Sequence, residues 1–188
     1  MKRRELLIAT LPFVSITSGC NIFGGGERKL WSINVTNVRA DPINLEVNTK
    51  NRSASSKNPA EIELSFENPT SDPLTMRHGE CPERSTNHSY SEEMLLFPTS
   101  LSDEFSPEPL EPDCWKPDTE SFYRPCETSE PTNEIAPGET MTITHSVWLA
   151  EDNECVPNDA YSFEVRGAVD EMHQFPVIGS FTIITEPA

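Results

Sequence analysis

Apolar and polar side chains that alternate every second residue decide what this chain can fold into. Glu61-Ile62-Glu63-Leu64-Ser65-Phe66 puts Ile62, Leu64 and Phe66 on one side, because successive side chains of a strand point to opposite faces of its sheet. Residues 141–149 form the longest such run, and 30–35, 74–76, 161–169 and 177–184 carry the same signature. Met94-Leu95-Leu96-Phe97 is continuous rather than alternating and ends at Pro98, so it reads as a strand buried on both faces. No helical period of useful length appears. Seventeen prolines and eight glycines separate these runs into short pieces with turns between them. The expectation is one all-β domain over residues 30–188, an immunoglobulin-like antiparallel β-sandwich of about seven strands.

The first residues are of another kind. Lys2, Arg3 and Arg4 precede a short apolar stretch, 6–16, interrupted by Pro12. It is far shorter than the roughly 20 apolar residues of a membrane-spanning helix, so it reads as an export signal. Thr17-Ser18-Gly19-Cys20 resembles the end of a lipoprotein signal, with Thr17 where such signals usually carry Leu. Arg3-Arg4-Glu5-Leu6-Leu7 resembles a twin-arginine export motif. These resemblances imply cleavage after residue 19 and lipidation of Cys20, which places the protein on the extracellular face of the cell membrane. Two acyl chains give stable residence where one anchors only marginally. Residues 20–29, with three consecutive glycines, form a flexible polar tether.

Removing residues 1–19 lowers the charged residues from 14 basic and 31 acidic to 11 and 30, a net of −19 over 169 positions. Such a field repels nucleic acid and anionic lipid headgroups, so both are poor candidate partners and no nucleic-acid partner is expected. Only four of the remaining basic residues are lysines, a balance like that of halophilic surfaces. The acids are interleaved with β-type runs along the whole chain, so a disordered acidic tail does not account for them.

Five cysteines are present: Cys20, Cys81, Cys114, Cys126 and Cys155. Lipidating Cys20 leaves an even four, which in an exported chain means two disulfides. Four cysteines allow three pairings, and spacing alone does not choose among them. No C-x-x-C pair occurs, and His78-x-x-Cys81 is a lone two-ligand fragment, so no metal is expected. The acidic stretch 103–113 has oxygens that calcium could use but not the register of a calcium loop, and it reads as a solvated loop.

Signatures of catalysis are missing. Gly-x-Ser-x-Gly, Gly-x-Gly-x-x-Gly and a P-loop are all absent, and no cofactor is implied. Of His78, His88, His145 and His173, only His145 lies on a strong strand run, and nothing nominates a nucleophile to face it. Trp115 and Trp148 are expected to plug the sandwich near the cross-links. Asn34, Asn51 and Asn87 begin Asn-x-Ser/Thr triplets and have the form of glycosylation acceptors.

Four stretches carry a family resemblance: 64–74 (LSFENPTSDPL), Cys114-Trp115-Lys116-Pro117, Ala136-Pro137-Gly138-Glu139, and Cys155-Val156-Pro157 ahead of Tyr161-Ser162-Phe163. Over residues 57–185 the order of parts resembles secreted immunoglobulin-like domains of a bacterial proteinase-inhibitor-like class (BsuPI-like), and more closely haloarchaeal secreted lipoproteins. That resemblance implies Cys114 bonded to Cys155, which leaves Cys81 with Cys126; the rival is Cys114–Cys126 with Cys81–Cys155. The expected function is a non-enzymatic binding or structural module of the envelope, meeting a protein partner through its long acidic loop or a sheet edge. A proteinase-inhibitor-like module is the alternative, and a solute-binding lipoprotein is less favoured.

Overall fold

The computed structural model describes residues 27–77, 87–89, 93–99, 109–111, 114–117, 132–150, 154–169 and 176–188. Within them the chain is all β, without an α-helix. The strands are β1 (Lys29–Ala40), β2 (Asn44–Asn51), β3 (Ser53–Ser55), β4 (Ala60–Glu67), β5 (Leu74–Arg77), β6 (Asn87–His88), β7 (Met94–Pro98), β8 (Pro109–Glu111), β9 (Cys114–Pro117), β10 (Thr132–Ile135), β11 (Thr140–Leu149), β12 (Ala160–Val169) and β13 (Val177–Pro187). They form a six-stranded sheet in the order β10-β5-β12-β13-β1-β3, a five-stranded sheet β2-β4-β11-β7-β6, and a two-stranded ribbon β8-β9. Every pairing is antiparallel.

The expected alternation does its work at the core. Ile62, Leu64 and Phe66 of β4 and Val147 and Leu149 of β11 meet Trp31 and Ile33 of β1, Phe163 of β12, and Phe181 and Ile183 of β13 in one apolar cluster between the two sheets. Phe163 and Phe181 are register partners and stack with ring centroids 5.3 Å apart. Gly167 on β12 sits where Met76 and Ile178 close in, and a Cβ there would lie 2.5 Å from Ile178 Cδ1.

Where about seven strands were expected, thirteen strand segments are present among the described residues. Each strongly alternating run is one of them. The additional segments are short or polar. β2 (NLEVNTKN) turns only Leu45 and Val47 toward the core, each half-buried. Of residues 133–135 of β10, only Ile135 is buried. β1 runs on to Ala40 through a register shift between Thr36 and Arg39, where Asn37 has a φ of 54°. Asn is among the few residues that adopt this left-handed conformation readily.

β7 is buried on both faces, as its continuous apolar run requires. Met94 and Leu96 point into the core between the sheets. Leu95 and Phe97 point the other way, into a second cluster with Trp148. Pro98 is the last residue of β7 to pair with β11, opposite His145, and a proline has no N–H with which to extend the ladder.

The long strands also define two ends. β4 begins beside the 55–59 turn and finishes at Glu67, about 25 Å away at the rise of a strand. Described residues 27–28 and the C-terminal Ala188 lie at the first end: Ser56 N donates to Arg28 O at 2.8 Å and Ala188 N to Leu30 O at 3.2 Å. Residues 1–26, where the leader, the lipidated Cys20 and most of the tether are expected, lie outside the described residues.

Candidate functional site

Three constructions stand out in the described structure. The first is a cross-linked ribbon at the end where described residues 27–28 and the 55–59 turn lie. Cys114, at the start of β9, is bonded to Cys155 with Cα atoms 5.0 Å apart. Next to it, Trp115 donates its indole N–H to Ser55 O at 2.8 Å and packs edge-on against Trp148, centroids 5.1 Å apart. Trp148 donates to Ser146 Oγ at 2.8 Å, and Ser146 Oγ donates to Phe97 O at 3.2 Å. Both indoles thus bury large rings while their polar atoms are satisfied, the condition under which buried Trp stabilises. The expectation that Trp115 and Trp148 plug the sandwich is corrected in one respect. Trp148 lies on the outer face of the five-stranded sheet with Leu95 and Phe97; the tryptophan between the sheets is Trp31, at 0% exposure.

Ser55 joins this ribbon to the start of the described chain. Its hydroxyl donates to the Glu27 carboxylate, and Asn58 Nδ2 donates to the same oxygen at 2.9 Å. These two hydrogen bonds, Ser55 first, hold the Glu27 carboxyl below its ordinary range. Arg28 N adds a bond to Ser56 Oγ at 3.1 Å.

The second construction lies at the opposite end and unites two of the stretches that carried the family resemblance. Asn68, at 0% exposure, donates through Nδ2 to Asp72 O and to Ile135 O, each at 2.9 Å. Its Oδ1 accepts from Thr70 N at 3.0 Å and Thr70 Oγ1 at 2.7 Å. Its backbone N–H donates to Glu139 O, and its carbonyl accepts from Gly138 N at 2.7 Å. Gly138 has a φ of 78°, which glycine adopts without steric cost. The Asn68-Pro69-Thr70-Ser71-Asp72-Pro73 turn and the Pro137-Gly138 turn are therefore one clasp, built around a fully satisfied asparagine.

The third is an open groove of about 570 Å³ between β10 and the first half of β11. Ile135, Met141 and Ile143 supply its apolar part, and Glu134 and Glu139 stand among its polar lining. β4 flanks β11 from Thr140 to Val147. β7 flanks the other side only from His145 to Leu149. Among the described residues, then, 140–144 have no strand on that second side.

The structure brings together Cys114 and Cys155, which excludes the pairings Cys114–Cys126 and Cys81–Cys155. Cys20, Cys81 and Cys126 lie outside the described residues, as do His78, His173 and all of 103–113 except 109–111. His145 is described and is 1% exposed. Asn34 is exposed on β1. Asn51 uses its amide nitrogen on Pro59 O at 2.7 Å. Asn87 lies on β6. No group of three or more His, Cys, Asp or Glu suited to a metal occurs among the described residues. Sequence reasoning missed the junction at Ser55, because nothing near it in the chain announces partners 28 and 60 residues away. Compared with known proteins, the chain matches no family model, no curated protein and no solved structure.

Proposed function

We propose that this protein is a lipid-anchored, non-enzymatic module of a halophile's cell surface, an immunoglobulin-like domain that presents a sheet edge to an envelope or extracellular protein. The observation that carries the reading is the parity of its sulfurs. With Cys114 bonded to Cys155, three cysteines remain, and the first ends a leader of export type. Lipidating Cys20 uses that sulfur and leaves Cys81 to pair with Cys126.

Strand order supports the immunoglobulin-like part. The run β2-β4-β11-β7 has the neighbour pattern of an ABED sheet, and β5-β12-β13 that of a CFG sheet. On this assignment β1 is an added strand beside the last one, and β10 flanks the third. The described stretch next to the staple, 114–117, has both ends buried, whereas a proteinase inhibitor needs a rigid loop that projects. This favours the presenting module over the inhibitor.

The anchor also sets an orientation. Only residues 21–26 separate Cys20 from Glu27, a reach of about 20 Å when extended. Glu27 is held to the 55–58 turn, so that end of the domain lies toward the membrane and the Asn68 clasp lies away from it. Partition of intact cells tests the reading. The protein stays with washed membranes and is shaved from whole cells by added protease, while a Cys20→Ser form is released into the medium. Equal retention of both forms inside the cell would refute it.

A further inference from the structure

We propose that the edge of β11 at residues 140–144, which has no strand beside it among the described residues, is a β-augmentation site for an extended basic peptide of a partner protein. This rests on the presenting-module reading above and names the edge and the partner's chemistry.

Thr99 Oγ1 donates to Thr144 O at 3.2 Å, which places that carbonyl on the side where β7 runs beside the rest of β11. Backbone groups of an antiparallel strand alternate sides with period two. The N–H and C=O groups of Thr140 and Thr142 and the N–H of Thr144 therefore face the side that no described strand occupies, the Thr144 carbonyl being taken up by Thr99, while Met141 and Ile143 direct theirs toward β4. An edge with unpaired N–H and C=O groups is a template for another strand. Five residues of edge match an added strand about 17 Å long.

Side-chain chemistry narrows the occupant. Residues of an added strand would alternate between the groove and solvent. Inward ones meet Ile135, Met141 and Ile143, which suits small aliphatic side chains. Glu134 and Glu139 are exposed at the same groove, and the whole chain carries a formal charge of −17. Charge complementarity therefore selects lysine- or arginine-bearing strands and opposes a second copy of this chain. The location agrees as well: Thr140 pairs with Glu67 at the end remote from the proposed tether, so the edge lies on the side of the domain away from the membrane.

The test uses the full chain carrying Cys20→Ser, in the lowest salt at which its circular dichroism is that of a folded β protein, so that exposed charges are screened least. The probe is a fluorescein-labelled peptide of about eight alternating lysines and valines, compared with the same peptide bearing glutamate for lysine. Expected is saturable binding of the basic peptide, about tenfold tighter than the acidic one, the size of two exposed ion pairs. Thr142→Pro removes an outward N–H without touching a bond to β4 and lowers affinity at least about tenfold. Thr142→Val keeps the backbone and keeps the affinity. Should Thr142→Pro fail to fold, judged by the near-ultraviolet signal of Trp115 and Trp148, Glu134→Lys replaces it and erases the preference for the basic peptide. No binding, equal binding of both peptides, an unaffected Thr142→Pro, or self-association through this edge would each overturn the proposal. Because the assay contains no membrane, its failure leaves the anchor untouched, and failure of the anchor leaves the assay standing.

Discussion

Asn68 shows how much one side chain can organise. Its amide satisfies two carbonyls and its oxygen two donors at a site closed to water. Removing such a hub leaves buried groups unpaired at about 1–3 kcal/mol in all but the mildest cases. Asn68→Ala is expected to lower unfolding stability by about 2–3 kcal/mol, read as a shift in urea midpoint at constant slope; a shift under about 0.5 kcal/mol, the size of ordinary surface substitutions, contradicts the clasp. The turn at 68–73 was legible from Asn, Pro and Asp. Its reach to Ile135, 67 residues on, was not, since a hydrogen bond to a backbone carbonyl leaves no mark on the residue that supplies it. Glu27 makes a second residue-scale prediction. Hydrogen bonds to Ser55 and Asn58 depress its carboxyl, so its contribution is complete above the ordinary glutamate range and is lost as pH falls through the lower, folded value. Amide exchange at Arg28 and Ser56 should stay slow through the ordinary range and speed up only below it, and Glu27→Gln should abolish that pH response. An exchange rate that rises at the ordinary glutamate value, in step with a free carboxyl, would contradict it.

Among elements, the β8-β9 ribbon depends most on a covalent link. Cys114 and Cys155 are 41 positions apart, and closing such a loop is worth about 4 kcal/mol in the chain-entropy account. Cys114→Ser with Cys155→Ser should cost about that much and should red-shift tryptophan emission as Trp115 leaves Ser55 and Trp148. An unchanged spectrum would mean that the ribbon docks without its staple. Strands with two-residue alternation or a continuous apolar run were readable because each had to bury one face or both. β2 and β10 escaped notice because an edge strand buries little and so needs little pattern. The second apolar cluster was half-legible: the MLLF run implied two buried faces, while the cover for its outer face, Trp115, comes from a distant, proline-rich segment.

For the molecule as a whole, charge and anchorage are linked expectations. At a formal charge of −17 the folded chain repels itself, and raising salt from about 0.1 M to 1 M shortens the screening length from about 10 Å to 3 Å. The thermal midpoint should climb over that range, and loss of the β spectrum on dialysis into dilute buffer should be reversed by restoring salt; a midpoint independent of salt would remove the halophilic reading. Under the proposed anchorage, a fixed Cys20 would turn the Asn68 clasp and the 140–144 edge of β11 outward. Intact-mass spectrometry of the protein taken from its native membrane tests this most directly. The account predicts a chain that begins at Cys20 bearing two acyl chains on that residue, with the other four cysteines oxidised. A chain that begins at an unmodified Met1, or that carries four free thiols, would contradict it.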